Sequence, residues 1–178
     1  MSGLGECART ERGGCPGWKT WAVLYVDDEP LSLKHFDKAF GEEFTVLTAS
    51  SAKEAFRLLQ LHGEDIGVLI TDENMPGEKG SWLLERAWEI NPLIVRILAT
   101  SSCDWEVIRA AIDRGLFSFV PLPWDPYQIP HLLGRALDLY RQQLDLRQEF
   151  RTGDLESGDY QERLNVLRSC FGDARLPS

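Results

Sequence analysis

Cysteine and histidine are scarce in this sequence, and the few present are poorly placed for chemistry. Cys7, Cys15, Cys103 and Cys170 form no C-x-x-C pair and have no histidine close by, which argues against a disulfide framework and against a zinc site. His35, His62 and His131 stand alone and read as surface or packing residues. Long hydrophobic runs are also missing. None reaches the roughly 18 residues of a membrane-spanning helix, and Met1 to Lys19 holds no apolar stretch of the signal-peptide kind. A cytoplasmic location is therefore expected, with no membrane association. Basic charge is short as well: 19 Lys and Arg face 28 Asp and Glu, a formal net of −9. Such a chain repels nucleic acid and anionic lipid at long range unless a local basic patch intervenes. No patch is present, and the arginines after residue 130 are spaced among carboxylates, as on a solvated helix face. Nucleic acid is thus not expected as a partner. The 178 residues suffice for one globular domain with tails and are too few for two.

What is present is a regular alternation. Residues 1–19, rich in glycine and mixed charge, read as a flexible leader. Continuous apolar runs follow at Trp21–Val26, Ile66–Ile70, Leu93–Ala99 (with one arginine) and Phe117–Leu122. Runs of this length suit strands buried on both faces of a parallel sheet. Phe44–Ala49 mixes in polar residues and fits a sheet edge. Between the runs, helical spacing recurs in Ala52, Ala55, Phe56 and Leu59, in Leu83, Leu84, Ala87 and Trp88, in Val107, Ile108, Ala111 and Ile112, and from Ile129 to Leu144. Strands alternating with helices imply right-handed crossovers and an α/β fold, a doubly wound five-stranded parallel sheet covered on both faces. Ligands of such folds bind beyond the carboxyl ends of the strands.

Those ends are acidic. The first strand runs into Asp27, Asp28 and Glu29, the third into Thr71, Asp72 and Glu73, and the fourth into Thr100, Ser101 and Ser102. In a parallel sheet Asp27, Asp28 and Asp72 converge at one mouth, where three carboxylates repel unless a cation sits among them. Oxygen ligands with room for waters suit a hard ion, Mg²⁺ most naturally. Thr100 could then hydrogen-bond an anion held by that ion.

The pattern Asp27-Asp28-Glu29-Pro30, then Asp72-x-Asn74-Met75-Pro76-Gly77 with Gly80 behind it, then Thr100 and Pro123, resembles the receiver domain of bacterial two-component response regulators. The separations, 44 residues from Asp28 to Asp72 and 28 from Asp72 to Thr100, agree with that family. The resemblance covers about residues 20–146, and Pro123-Trp124-Asp125 is similar to the subgroup resembling hydrogenase-type transcriptional regulators. It implies a CheY-like, flavodoxin-like strand order 2-1-3-4-5. It further implies that Asp72 accepts a phosphoryl group from the phosphohistidine of a histidine kinase. Asp27, Asp28, Asp72 and the backbone carbonyl of Asn74 would hold Mg²⁺. Thr100 would bond the phosphoryl oxygens, and Phe119 takes the position of an aromatic switch residue. No enzymatic activity is implied beyond self-phosphorylation and autodephosphorylation at Asp72. A downstream protein would dock on the face from helix four to helix five.

One family residue is replaced. Receivers carry a lysine immediately before the proline after strand five, where this chain has Leu122, and no lysine follows Lys79. Losing that ammonium removes a point charge from the acceptor and the phosphoryl group, on the order of 2–4 kcal/mol of transition-state stabilisation. Two readings stay open at this level: a slower phosphoacceptor served by a dedicated kinase, and a phosphorylation-independent interaction module. Strand five also contains Pro121, which an edge strand tolerates and a central one does not. Asp125 and Pro126 suit a helix start, whereas Pro130 and Gly134 weaken the turns that follow.

The last helix extends past the usual end of a receiver. Leu133, Leu137, Tyr140 and Leu144 form a two-heptad seam, which suggests a homodimer through this helix. Breakers at Thr152-Gly153-Asp154 and Ser157-Gly158-Asp159 precede a short amphipathic segment, Tyr160–Cys170, expected to dock on the domain or on a partner. The extension, residues 147–178, is too short for a typical output domain, which leaves output by protein contact or through a separate effector domain.

Overall fold

The computed structural model describes residues 21–101 and 116–171. The expected leader at 1–19, Cys7, Cys15, Cys103 and the expected helix around Val107–Ile112 lie outside the described residues, as does part of the helix-four-to-five partner face. The elements run β1 (Ala22–Val26), α1 (Pro30–Phe40), β2 (Thr45–Ala49), α2 (Ala52–His62), β3 (Ile66–Asp72), α3 (Gly80–Ile90), β4 (Val95–Thr100) and β5 (Ser118–Pro121). A long helix (Gln128–Thr152) and a terminal helix (Ser157–Phe171) complete the chain.

The five strands form one parallel sheet in the order β2-β1-β3-β4-β5. This is the arrangement the resemblance implies. The inner strands β1, β3 and β4 are buried almost throughout, which is why their sequences are continuous apolar runs rather than alternating ones. β2 is an edge strand with exposed and half-buried positions, as its mixed sequence suggests. β5 is the other edge and pairs with β4 alone, with Pro121 opposite Thr100. An outer strand spares proline the ladder hydrogen bond it cannot donate, and the next amide, Leu122 N–H, donates to the Thr100 carbonyl at 2.9 Å.

The long helix starts later than Asp125-Pro126 suggests. Asp125 accepts the amide of Tyr127 and the side-chain amide of Gln128, each at 2.9 Å, and so closes a turn ahead of the helix. Pro130 then falls in the first helical turn, where no N–H has an intrahelical acceptor, and costs nothing. The expected seam for a second copy is used within the chain. Leu133, Leu137 and Tyr140 are buried in the domain core with Leu144 packed against it. Gln143 donates its side-chain amide to the Leu93 carbonyl at 3.2 Å. One turn on, Leu146 forms a separate apolar cluster with Leu155 and Leu164. The helix therefore stays on the molecule along its length, because its apolar stripe meets first the domain and then the terminal helix.

That hairpin turns at Gly153, whose φ of +82° lies in the left-handed region that glycine adopts without strain. The terminal helix returns toward the domain. Arg168 donates to the Pro92 carbonyl at 3.1 Å and to Gln143 Oε1 at 3.3 Å. Its guanidinium lies 4.9 Å from the centre of the Trp88 ring, and Arg96 of β4 lies 4.6 Å from the same ring. Burial and the neighbouring Arg168 charge push the Arg96 guanidinium down to about 10. Among the described residues no helix is long and apolar enough to cross a membrane.

Candidate functional site

Asp27 and Asp28 follow β1, and Asp72 ends β3. These strands are adjacent and parallel, with Val26 beside Thr71, so all three carboxylates emerge at one edge of the sheet. One oxygen from each lies within 4.8 Å of the others, the only such acidic, histidine or cysteine cluster among the described residues. Their environments differ: Asp27 is buried, Asp72 half-buried and Asp28 exposed. The cleft they border has a volume of about 810 Å³ and is also lined by Ser101, Leu122 and Trp124.

Asp27 is held from three directions. Its Oδ1 accepts the Glu29 amide at 2.9 Å, and its Oδ2 accepts the hydroxyls of Tyr25 at 2.9 Å and Ser32 at 2.6 Å. Three donors fix the orientation of the carboxylate. The Tyr25 hydroxyl is itself pushed well above its ordinary range, first by burial and also by the charge of Asp27. Asp72 is held less firmly: Oδ1 accepts the Asn74 amide at 3.3 Å. Its carboxyl is raised above the ordinary range, chiefly by burial, with the charges of Asp27 and Asp28 acting in the same direction. A carboxylate strained by two like charges is a good ligand and a good nucleophile once a cation neutralises its neighbours.

The loop after Asp72 is anchored by Glu73, a buried carboxylate. It accepts the Ser81 amide at 2.8 Å and the Ser81 hydroxyl at 3.1 Å, with Lys79 Nζ 4.0 Å away. Glu73 thus caps the amino end of α3 and is turned away from the cluster. Gly80 is required here, because a Cβ would collide with the Asp72 carbonyl oxygen.

The remaining expected residues fall around this core. The register sets Ala99 beside Asp72, so Thr100, buried, stands one residue further along β4. Phe119 pairs with Leu98 and Pro121 with Thr100, which puts the half-buried Phe119 on the same sheet face as Thr100, two residues back. Leu122 lines the same cleft as the aspartates, at the position where the resemblance would place a cation. Three contributors escaped sequence reading: Tyr25, Ser32 and Trp124. The signal for Tyr25 was available, since a residue two before Asp27 on a strand shares its face. Ser32 needed the position of α1, and Trp124 needed the turn after β5.

The donor set is oxygen only and clustered, and no lysine or arginine stands among the described side chains that line it. It fits a hard divalent ion with retained waters. The sequence pattern of the response regulator receiver domain matches residues 23–133. The hydrogenase transcriptional regulatory protein HoxA of Bradyrhizobium diazoefficiens is 33% identical over a stretch covering 82% of this chain and 30% of that protein. The chain therefore spans about a third of the length of that relative. A receiver domain protein from Clostridium thermocellum superposes with a TM-score of 0.65 at 27% identity, covering 70% of this chain and 98% of the other. The CheX-CheY-BeF3-Mg²⁺ complex of Borrelia burgdorferi shares the fold, with a TM-score of 0.59 at 23% identity over 62% of this chain and 84% of that one. This chain belongs to the response regulator receiver domain family.

Proposed function

We propose that Asp72 is a phosphoacceptor, charged by the phosphohistidine of a histidine kinase in the cytoplasm, and that the chain signals through protein contacts that change with this charge. The observation that carries the reading is the convergence of Asp27, Asp28 and Asp72 at one strand-end mouth, with the acceptor carboxyl raised by burial and by the charges of its neighbours. Asp28, Asp72 and the Asn74 carbonyl would hold Mg²⁺, with Asp27 contributing partly through water. When bound, the ion supplies charge neutralisation for the acceptor and for the oxygens of the transferring group.

The chain's own residues supply the positioning. An Asp72 carboxylate oxygen attacks phosphorus in line as the phosphorus–nitrogen bond of the donor breaks, giving an acyl phosphate and a neutral imidazole once the released nitrogen takes a proton. The Asn74 amide, already bonded to Asp72, steadies the carboxylate that attacks. Thr100 bonds the added phosphoryl oxygens, and Phe119, on the same sheet face, follows its movement. Leu122 offers no charge, so the site works with one cation fewer and transfers more slowly than a receiver with lysine there. Pairing of two copies needs a surface other than the long-helix seam, which packs within the chain.

The test is a phosphate-affinity gel after incubation with acetyl phosphate. A mobility shift that requires Mg²⁺ and is lost in Asp72→Asn is expected. No shift in the parent chain, while Leu122→Lys shifts, would refute the reading and leave a binding module disarmed at one position.

A further inference from the structure

The cluster around Asp27 contains more hydroxyl contacts than hydroxyl hydrogens. Tyr25 Oη, Ser32 Oγ and Asp27 Oδ2 form a triangle with sides of 2.9, 2.9 and 2.6 Å. Two hydrogens serve three contacts. The shortest side is Ser32 to the carboxylate, and an anion takes a hydrogen in preference to a neutral oxygen. Both hydrogens therefore point at Asp27, and the Tyr25–Ser32 contact is left without one. Trp124 lines the same cleft. The phenol ring is fixed independently by stacking on Phe36 at 4.0 Å and 7°. Phe36 meets Trp124 edge-on, with centroids 5.8 Å apart at 87°.

We propose that Tyr25 and Ser32 are positioning residues for the divalent-cation site. The inference rests on the reading of the aspartate cluster as a cation site. With Glu29 N–H on Oδ1 and two hydroxyls on Oδ2, Asp27 is held in one orientation. Outer partners of this kind fix the geometry of ligating groups and set affinity. They also divide labour within the cluster. Asp27, already bonded three times, supplies charge with few lone pairs to spare, while Asp28 and Asp72 supply direct ligand atoms.

The experiment is calorimetric titration of the intact chain with Mn²⁺ and with Mg²⁺, beside Tyr25→Phe, Ser32→Ala, Ser32→Thr and Asp72→Asn. Far-UV circular dichroism and melting curves without metal accompany each variant. Tyr25→Phe keeps the stacked ring and Ser32→Thr keeps the hydroxyl, so each isolates the hydrogen bond. Tyr25→Phe and Ser32→Ala are expected to weaken cation binding about tenfold each, with native spectra, and Ser32→Thr to restore it. Parent-like affinity in folded Tyr25→Phe and Ser32→Ala overturns the inference while leaving the cation site intact. Should Tyr25→Phe not fold, the Ser32 pair decides alone. A parent chain that binds neither ion, like Asp72→Asn, overturns the cation site itself and the inference with it.

Discussion

Removing the acceptor charge should stabilise this protein when divalent ions are absent. In the Asp72→Asn variant, one of three carboxylates whose oxygens lie within 4.8 Å becomes a neutral amide of nearly the same shape. At that separation two unit charges repel by about 1 kcal/mol under water-like screening and by about 3.5 kcal/mol at an effective dielectric of 20. Asp72 is only half-buried, so the screened end of the range applies. With two charged neighbours the net gain is about 1–2 kcal/mol, which raises the melting temperature by roughly 3–6 °C for a chain of this size. The pH dependence follows from the raised carboxyl of Asp72. The folded state holds that proton more tightly than the unfolded state does. Parent stability is therefore greatest, relative to the variant, below both values, where Asp72 is protonated in either state. It falls as pH rises from the ordinary carboxylate value through the raised folded one, and then levels off. Melts in chelator across a pH series should show the curves of parent and variant meeting at acid pH and separating toward neutral. Adding Mg²⁺ should close the gap from the other side, since a ligand at 100 times its dissociation constant adds about 2.7 kcal/mol to the state that binds it. A variant that melts at or below the parent in chelator at neutral pH would refute this account of the cluster.

Three further outcomes are expected. Leu122→Lys should place an ammonium in the cleft, raise the melting temperature in chelator, and speed acetyl phosphate labelling by roughly 30- to 1000-fold, the rate equivalent of about 2–4 kcal/mol; an unchanged labelling rate would show that the position no longer faces the acceptor. Gly80→Ala should cost about 1–3 kcal/mol in urea denaturation, because the added Cβ meets the Asp72 carbonyl and pushes α3 off Glu73. A parent-like midpoint would contradict that close approach. Leu164→Ala should cost about 2–3 kcal/mol by emptying the cluster with Leu146 and Leu155. Amide exchange should then quicken in the terminal helix while β1, β3 and β4 keep their protection, and a uniform change across the chain would count against a separately packed hairpin.

Much of the site could be read in the sequence because strand ends are easy to locate. A continuous apolar run ends where the first polar residues appear, and in a parallel sheet those residues share one edge. Asp27, Asp28, Asp72 and Thr100 are all of this kind. Leu122 was legible as a departure for the same reason, standing before Pro123 at a strand end. The hydroxyl pair was not, because Ser32 reaches Asp27 from α1 and the contact depends on the angle at which that helix leaves Pro30. The long-helix seam misled for a related reason. Spacing shows that Leu133, Leu137, Tyr140 and Leu144 share a face, and it is silent on what covers that face. Here the cover is the domain core itself, followed by the Leu155–Leu164 hairpin for the next turn.

The sequence by itself determined the alternation of elements, the acidic strand ends and the missing lysine, since each is a local pattern of polarity set along the chain. Only the tertiary structure decided how Asp27 is held, where Trp124 enters, and that Arg168 closes the terminal helix over Trp88 and Pro92. The Arg168 and Trp124 contacts join residues tens of positions apart, and the contacts on Asp27, though local in sequence, depend on how α1 leaves the strand end; crossing angles and side-chain reach of this kind are encoded in no one-dimensional pattern.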